Sequence, residues 1–328
     1  MTKPRVIMSG IRPTGTGAAH LGHWEGALKS WVKLQDMGEC FYSIVDWHAL
    51  TTEYQDVKNI QNNIRQVLLD ILSVGIDPEK SVVYLQSAVK EIAELTLLLG
   101  MMTPLGWLER VPTFKEQQAQ LTDRDINTYG FLGYPLLQTV DIIIMKADTV
   151  PVGEDQVFHL ELAREIVRRF NGLYGDCFPE PQPFLTPIPK LPGVDGRKMS
   201  KSYGNAIYLS DAAAVVEEKI RPMVTDVRRK RRTDPGVPED CPAFALHKAY
   251  SKAEEIAMVD AECRKAGIGC IDCKKILIRN VNEFLEPIRQ RRSRYEKMSV
   301  ADILAPGNRR AAERAGQTVA EARRLINV

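Results

Sequence analysis

The segment from Arg5 to Met37 constrains this chain more than any other. Arg5-Val6-Ile7-Met8 is short, apolar and β-favouring, and Ser9-Gly10 ends it. Pro13, Thr14, Gly15, Thr16 and Gly17 follow, in a loop rich in residues that accept unusual backbone angles. After His20-Leu21-Gly22-His23, apolar residues recur at helical spacing (Leu21, Trp24, Leu28, Trp31, Val32, Leu34) as far as Gly38. Strand, glycine-rich turn and helix in that order cradle phosphate, because free amides and the positive dipole end at the helix start face an incoming anion. The glycines match neither the dinucleotide fingerprint nor the P-loop. His20 and His23, however, lie three apart on the first helical turn. Both can donate to one polyphosphate, and Gly22 between them lets a flat adenine approach the backbone. Taken alone, the pair is equally compatible with two ordinary surface histidines.

The rest of the first 210 residues alternates in type. Glu39 to Val45 and Ser81 to Leu85 read as strands, and so does Thr149-Val150-Pro151-Val152. Between them Asp56 to Val74, Lys90 to Met102 and Gly133 to Lys146 read as helices, and Gly153-Glu154-Asp155-Gln156 opens another to about Asn171. This predicts an α/β fold, a Rossmann-like parallel sheet with helices on both faces, whose ligands bind beyond the carboxyl ends of the strands. From Asp211 strand-like runs vanish and charged helical sequence takes over. The expected division is therefore a catalytic domain over 1–210, an α-helical domain over 211–298, and a C-terminal helix over 299–328 that packs on another element. Between Pro104 and Asn127 the chain is irregular and polar, with Arg110 and Lys115.

With 328 residues, 44% of them apolar and 26% charged, the chain can bury one large or two moderate cores. A net charge of +2 excludes a chain-wide basic coat, so nucleic acid must be met by a local patch, and Arg228-Arg229-Lys230-Arg231-Arg232 is the one dense basic run. No apolar run approaches the length of a membrane span, and Met1-Thr2-Lys3-Pro4 leads straight into a strand, so a cytoplasmic protein is expected.

Two further clusters carry chemistry. Lys198-Met199-Ser200-Lys201-Ser202 sits in a loop between Gly196 and Tyr203-Gly204-Asn205, with two lysines and two hydroxyls suited to closing over a triphosphate. Cys241, Cys263, Cys270 and Cys273 fall at intervals of 21, 6 and 2 residues, and Cys270-Ile271-Asp272-Cys273 is the usual two-ligand clip of a thiolate metal site. Four thiolates suit zinc or an iron–sulfur cluster, and spacing alone does not separate them. On the helix after Gly133, Tyr134, Gln138 and Asp141 share one face. Asp141 stands among Val140, Ile142 and Ile144, where a carboxylate is costly to bury unless it gains a partner.

The histidine turn and the lysine loop, in this order, resemble the paired signatures of class I aminoacyl-tRNA synthetases. Over essentially its whole length the chain is similar to the tryptophanyl-tRNA synthetase family, through Ser9 to Gly15, Asp46-Trp47-His48-Ala49-Leu50-Thr51, Tyr134 to Asp141, Val152 to Gln156 and Lys198 to Asn205. In that family two residues separate the Pro-Thr-Gly block from its first histidine. Here four intervene, Thr16-Gly17-Ala18-Ala19, as if a Thr-Gly dipeptide were duplicated.

The resemblance implies ATP-dependent activation of L-tryptophan to tryptophanyl-adenylate, with Mg²⁺, and transfer to tRNA(Trp). It assigns catalysis to Lys198, Lys201, His20 and His23. ATP would meet Arg12, Pro13, Thr14, Gly22, His23, Gly153, Glu154, Asp155, Ile188 and the loop residues Lys198, Met199, Ser200, Lys201 and Ser202. Tryptophan would meet Asp141, through the indole N–H, together with Tyr134, Gln156 and Gln138. It further implies an anticodon-binding role for the helical domain, a homodimer using the Pro104–Asn127 region, and a [4Fe-4S] cluster on Cys241, Cys263, Cys270 and Cys273, as in a subset of the family, with zinc as the alternative. Two rival readings are a tyrosine-specific class I synthetase and a small-molecule nucleotidyltransferase. The second has no use for a helical domain with a basic run. A third, a non-catalytic RNA-binding relative, would have lost the histidines and lysines that are present.

Overall fold

A computed structural model describes residues 5–111, 126–153, 156–185 and 191–328. Among them five parallel strands form one sheet: β1 (Arg5–Ile11), β2 (Gly38–Ile44), β3 (Val82–Leu85), β4 (Thr149–Val152) and β5 (Gln182–Leu185), in the order β3-β2-β1-β4-β5. Alternation along the strands assigns side chains to two cores. Ile7 of β1 and Tyr42 and Ile44 of β2 point into one; Val6, Met8 and Phe41 point into the other. Both faces are covered, as the near-continuous apolar strands require. Gly38 is needed where β2 starts beside β1, since a Cβ there would stand 2.4 Å from the Arg5 carbonyl.

The helix after the glycine loop, α1, is α-helical over Leu21–His23 and Lys29–Leu34 and wound as a π-helix over Trp24–Leu28. Such a widened turn is a frequent mark of functional sites. Next come α2 (Asp46–Glu53), α3 (Ile60–Ser73), α4 (Glu91–Gly100), α5 (Leu105–Glu109), α6 (Tyr129–Ile144) and α7 (Val157–Tyr174). The last third is helical: α8 (Ala213–Ile220), α9 (Pro242–Tyr250), α10 (Ala253–Arg264), α11 (Cys270–Tyr295) and α12 (Val300–Ile326).

Two long helices tie this last third to the sheet. Helix α11 lies against α3 and adds Leu277, Val281, Leu285 and Ile288 to the first core. Helix α12 adds Ala311, Ala315, Val319 and Ala322 to the second, and it covers the β3 edge, where Asn308 Oδ1 accepts the Leu85 N–H at 2.9 Å. Its Gly307 allows that approach, because a Cβ would lie 1.9 Å from the Val83 carbonyl. An otherwise open edge is thereby closed. In this sheet the order reverses between β1 and β4, and the crevice beyond their carboxyl ends is where an open α/β sheet takes a ligand.

Candidate active site

That crevice holds a cavity of about 500 Å³. Its walls are the end of β1 with Arg12, His23 of α1, His48 of α2, Tyr134, Gln138 and Asp141 of α6, and Gly153 and Gln156 after β4. At its entrance His20 caps α1. Its Nδ1 accepts the His23 N–H at 3.3 Å, and His23 Nδ1 accepts the His20 N–H at 3.2 Å. The rings stack with centroids 3.8 Å apart. Both Nδ1 atoms act as acceptors, so each neutral ring carries its proton on Nε2. Burial, and then Lys201, pushes the His20 imidazole down to about 4. Burial, then His20 and Lys201, pushes His23 down to about 3. The pair is therefore uncharged at neutral pH and offers two N–H donors. A Cβ on Gly22 would stand 2.9 Å from His20 Cε1, so the glycine is what lets the His20 ring close on the turn.

The loop before the turn is clamped by α2 and α3. Gly15 and Gly17 both have positive φ, at 64° and 71°, where a side chain is strained. The Gly15 N–H donates to Glu53 Oε1 at 3.2 Å, its carbonyl accepts from Asn63 Nδ2 at 2.9 Å, and a Cβ on Gly17 would lie 2.6 Å from Asn63 Cα. The extra Thr16-Gly17 step is thus seated on α3. Arg12 is exposed at the cavity mouth, with Glu53 and Tyr134 as its nearest electrostatic neighbours; Pro13 is buried and Thr14 half-buried.

The lysine loop, far away in sequence, meets this one. Lys201 Nζ donates to the Thr14 carbonyl at 3.4 Å, and burial lowers the lysine from its ordinary value, against the opposing pull of Asp70 and Glu53. Asn205 shapes the loop: its Oδ1 accepts the Ser200 N–H at 2.9 Å and its Nδ2 donates to Asp195 at 2.7 Å and to the Lys198 carbonyl at 3.2 Å. Met199 plugs into the core, and Lys198 stays exposed. Ser202 lies in the short helical turn Lys201–Tyr203.

At the inner end Asp141 is 2% exposed. His48 Nε2 stands 3.0 Å from its Oδ2, and Gln86 Nε2 donates to both oxygens at 2.8 Å. Sequence reasoning left this carboxylate with the indole N–H alone as partner. Its burial is in fact supported by two side chains from α2 and from the turn after β3. His48 was legible only as part of a family block, and Gln86 carried no signal. Likewise Tyr134 and Gln156 are joined by a residue the sequence did not single out. Tyr134 Oη lies 3.0 Å from His159 Nε2, and His159 Nδ1 lies 3.0 Å from Gln156 Oε1. Gln138 and Gly153 line the same cavity. Glu154, Asp155, Ile188 and Lys115 lie outside the described residues.

A second cluster lies in the helical third. Cys241 precedes α9, Cys263 lies in the last turn of α10, and Cys270 and Cys273 occupy the first turn of α11. Cys273 is within electrostatic reach of the other three thiols, and burial first, then those neighbours, pushes it up to about 12. Cys263 Sγ accepts from Arg229 Nη1 at 3.6 Å, Arg229 Nη2 donates to the Ile268 carbonyl, and Arg229 Nε is buried without a hydrogen-bond partner among the described residues. A Cβ on Gly236 would come 2.5 Å from Cys263 Sγ. Among the described residues no three His, Cys, Asp or Glu side chains close to ligand distance around one point. The thiol corner is assembled, and its donors are not drawn tight.

Comparison with known proteins agrees with this geometry. Residues 1–286 match the family model described as tRNA synthetases class I (W and Y). The chain is 51% identical to the tryptophan–tRNA ligase of Thermotoga maritima over 98% of this chain and 99% of that one. It is 43% identical to the ligase of Aquifex aeolicus, with the same coverage of each chain. Its fold matches the crystal structure of tryptophanyl-tRNA synthetase from Campylobacter jejuni, complexed with ADP and tryptophan, with a TM-score of 0.89 and 31% identity, over 99% of this chain and 100% of that one. The chain belongs to the class I tRNA synthetases of the W and Y family. Within that family its activity is that of a tryptophan–tRNA ligase: ATP-dependent activation of tryptophan and transfer to tRNA(Trp). No described helix is long and apolar enough to cross a membrane.

Proposed function

We propose that the cavity divides the reaction between two ends: ATP over the His20–His23 turn beneath the lysine loop, and tryptophan against Asp141. The contact between Lys201 and the Thr14 carbonyl carries this reading, because it brings both loops to the mouth of a cavity whose inner end is a buried carboxylate. The tryptophan carboxylate attacks the α-phosphorus, the bond to the β-phosphate oxygen breaks, and pyrophosphate leaves. The 3′-terminal ribose hydroxyl of the RNA then attacks the adenylate carbonyl and AMP leaves. Such transfers need positioning and charge neutralisation more than a protein nucleophile. His20 and His23 hold phosphate as neutral Nε2–H donors, and Lys201, with Lys198, meets the charge that grows on pyrophosphate. Arg12 to Thr14, Gly22, Gly153 to Asp155 and Ile188 complete the ATP side. Mg²⁺ supplies counter-charge to the ATP phosphates, and the described residues include no dedicated group of three ligands for it.

On the amino-acid side the Tyr134–His159–Gln156 chain offers polar atoms to the α-amino and carboxylate groups. Asp141 accepts the indole N–H with the lone-pair capacity that His48 and Gln86 leave. Two variants test the division. Asp141→Ala should weaken tryptophan and leave ATP binding unchanged, and His23→Gln should do the reverse. Equal weakening of both ligands by either variant contradicts it.

The finer assignments belong to the same reading. The helical domain over 211–298 binds the anticodon arm, and the enzyme works in the cytoplasm, where its transfer RNA is. It works as a homodimer: Leu97, Met101, Leu105 and Tyr129 are exposed around the Pro104 segment, an apolar patch of the kind subunits cover. The thiol corner fits a [4Fe-4S] cluster by its four-sulfur donor set, the close glycine at 236 and the unpaired Arg229 donor. When bound, the cluster supplies a rigid joint between α9, α10 and α11. Anaerobic protein with about four irons per chain supports it; colourless, fully active protein with one zinc rules it out, and mass at twice the chain weight tests the dimer.

A further inference from the structure

The support beneath the ATP loop reaches into the helical third of the chain. Asp70 of α3 is 1% exposed, and its two oxygens serve different parts of the fold. Oδ2 accepts the Ala19 N–H at 2.5 Å, the last amide before the histidine turn. Oδ1 accepts from Arg292 Nη1 of α11 at 2.5 Å. Arg292 is itself 7% exposed, and it is held by Gln66 of α3 and by Glu296, one turn on, at 3.0 Å. About two turns earlier on α3, Asn63 clamps Gly15 and Gly17. Helix α3 therefore carries the whole Gly15–Ala19 stretch, and α11 fixes the carboxylate that anchors its end. Burial raises the Asp70 carboxyl to about 6 even beside Arg292, so the ionised form depends on both of its partners. Lys201 lies within electrostatic reach of the same carboxylate.

An ordinary interhelical ion pair would spend both oxygens between the helices. This one gives one oxygen to a backbone amide at the mouth of the active site. We propose that Asp70 and Arg292 are positioning residues for the ATP half of the reaction: through Asp70, helix α11 sets where Ala19, and with it the His20–His23 turn, stands relative to Lys201. This rests on the assignment of that turn to ATP, and the test separates the two. A loop displaced by a fraction of an ångström leaves the tryptophan end untouched and spoils phosphate contacts.

The experiment is pyrophosphate exchange on full-length protein carrying Asp70→Asn, Arg292→Gln, Arg292→Lys or Gln66→Met, with ATP and tryptophan varied separately. Asp70→Asn and Arg292→Gln should raise KM for ATP by about tenfold or more with KM for tryptophan within about twofold. Arg292→Lys, which keeps the charge, should recover part of the loss, and Gln66→Met should shift KM in the same direction by less. Any variant too unstable to purify leaves the other three to give the same readout. A parallel rise in both KM values, or a lowered melting point with KM for ATP unchanged, overturns the positioning role. His23→Gln is the reference. If it leaves KM for ATP unchanged, the ATP assignment fails; if it raises KM and the Asp70 and Arg292 variants do not, only the positioning role fails.

Discussion

His48 Nε2 stands 3.0 Å from Asp141 Oδ2, so the buried carboxylate at the inner end of the cavity is held by protein donors before any substrate enters. With Gln86 donating to both of its oxygens, Asp141 is oriented in advance, and a substrate without an N–H at the right place leaves the remaining lone-pair capacity of Oδ1 unused. Asp141→Ala should lower tryptophan activation by about 2–4 kcal/mol while phenylalanine activation falls less. It should also lower the melting temperature, since His48 and Gln86 lose their partner. Exchange kinetics with both amino acids check the first point and a thermal melt the second. Equal losses for tryptophan and phenylalanine would remove Asp141 as the reader of the indole.

On the proposed reading, in which Lys201 meets charge that develops in the transition state, Lys201→Ala should cut the single-turnover rate of adenylate formation far more than it weakens tryptophan binding. A lysine that served only to tether Thr14 would change binding of ATP without this effect on rate.

The histidine pair gives stability a pH dependence of known sign. His20 and His23 have folded values of about 4 and about 3, below the ordinary histidine value near 6.5 that applies unfolded. Their contribution is complete above that unfolded value and is lost as pH falls toward the folded values, because the unfolded chain takes up protons first. The melting temperature of the wild type should therefore drop more steeply from pH 6.5 to 4 than that of His20→Asn/His23→Gln. Parallel curves contradict the neutral, buried pair.

The members of the basic run differ in their partners. Arg228 is paired with Asp226 at 2.9 Å and Asp240 at 2.5 Å, and Arg229 turns inward to Cys263. Lys230, Arg231 and Arg232 are exposed. Replacing these three with glutamine should weaken tRNA binding and flatten its salt dependence, with pyrophosphate exchange unchanged. Loss of exchange would mean that the segment supports the catalytic domain.

Local pattern carried the strands β1 to β4 and the helices α1, α3, α4, α6 and α7, because apolar periodicity is a property of neighbours in sequence; the short helices α2, which supplies His48, and α5 were not read. The fifth strand, Gln182–Leu185, was not legible: it is four residues long, carries Pro183 and stands at the edge of the sheet, so little apolar pattern marks it. The two signature loops were legible as types of residue, and their meeting at Lys201 and Thr14 follows from the sheet order. Gln86, His159 and Asp70 escaped notice for a common reason: each is defined by partners 25 or more residues away, from Gln86 to Asp141, from His159 to Tyr134 and from Asp70 to Arg292. The basic run looked uniform in sequence, and only the fold separates Arg229, which turns to the thiol corner, and Arg228, exposed but paired with Asp226 and Asp240, from Lys230, Arg231 and Arg232, which form no ion pair among the described residues.

The most direct measurement is ATP–pyrophosphate exchange driven by each amino acid in turn. The account predicts exchange with tryptophan, with tyrosine and phenylalanine lower in kcat/KM by at least about two orders of magnitude, as a site that pairs a substrate N–H allows. Exchange driven by tyrosine as well as by tryptophan, or none with tryptophan, would contradict it.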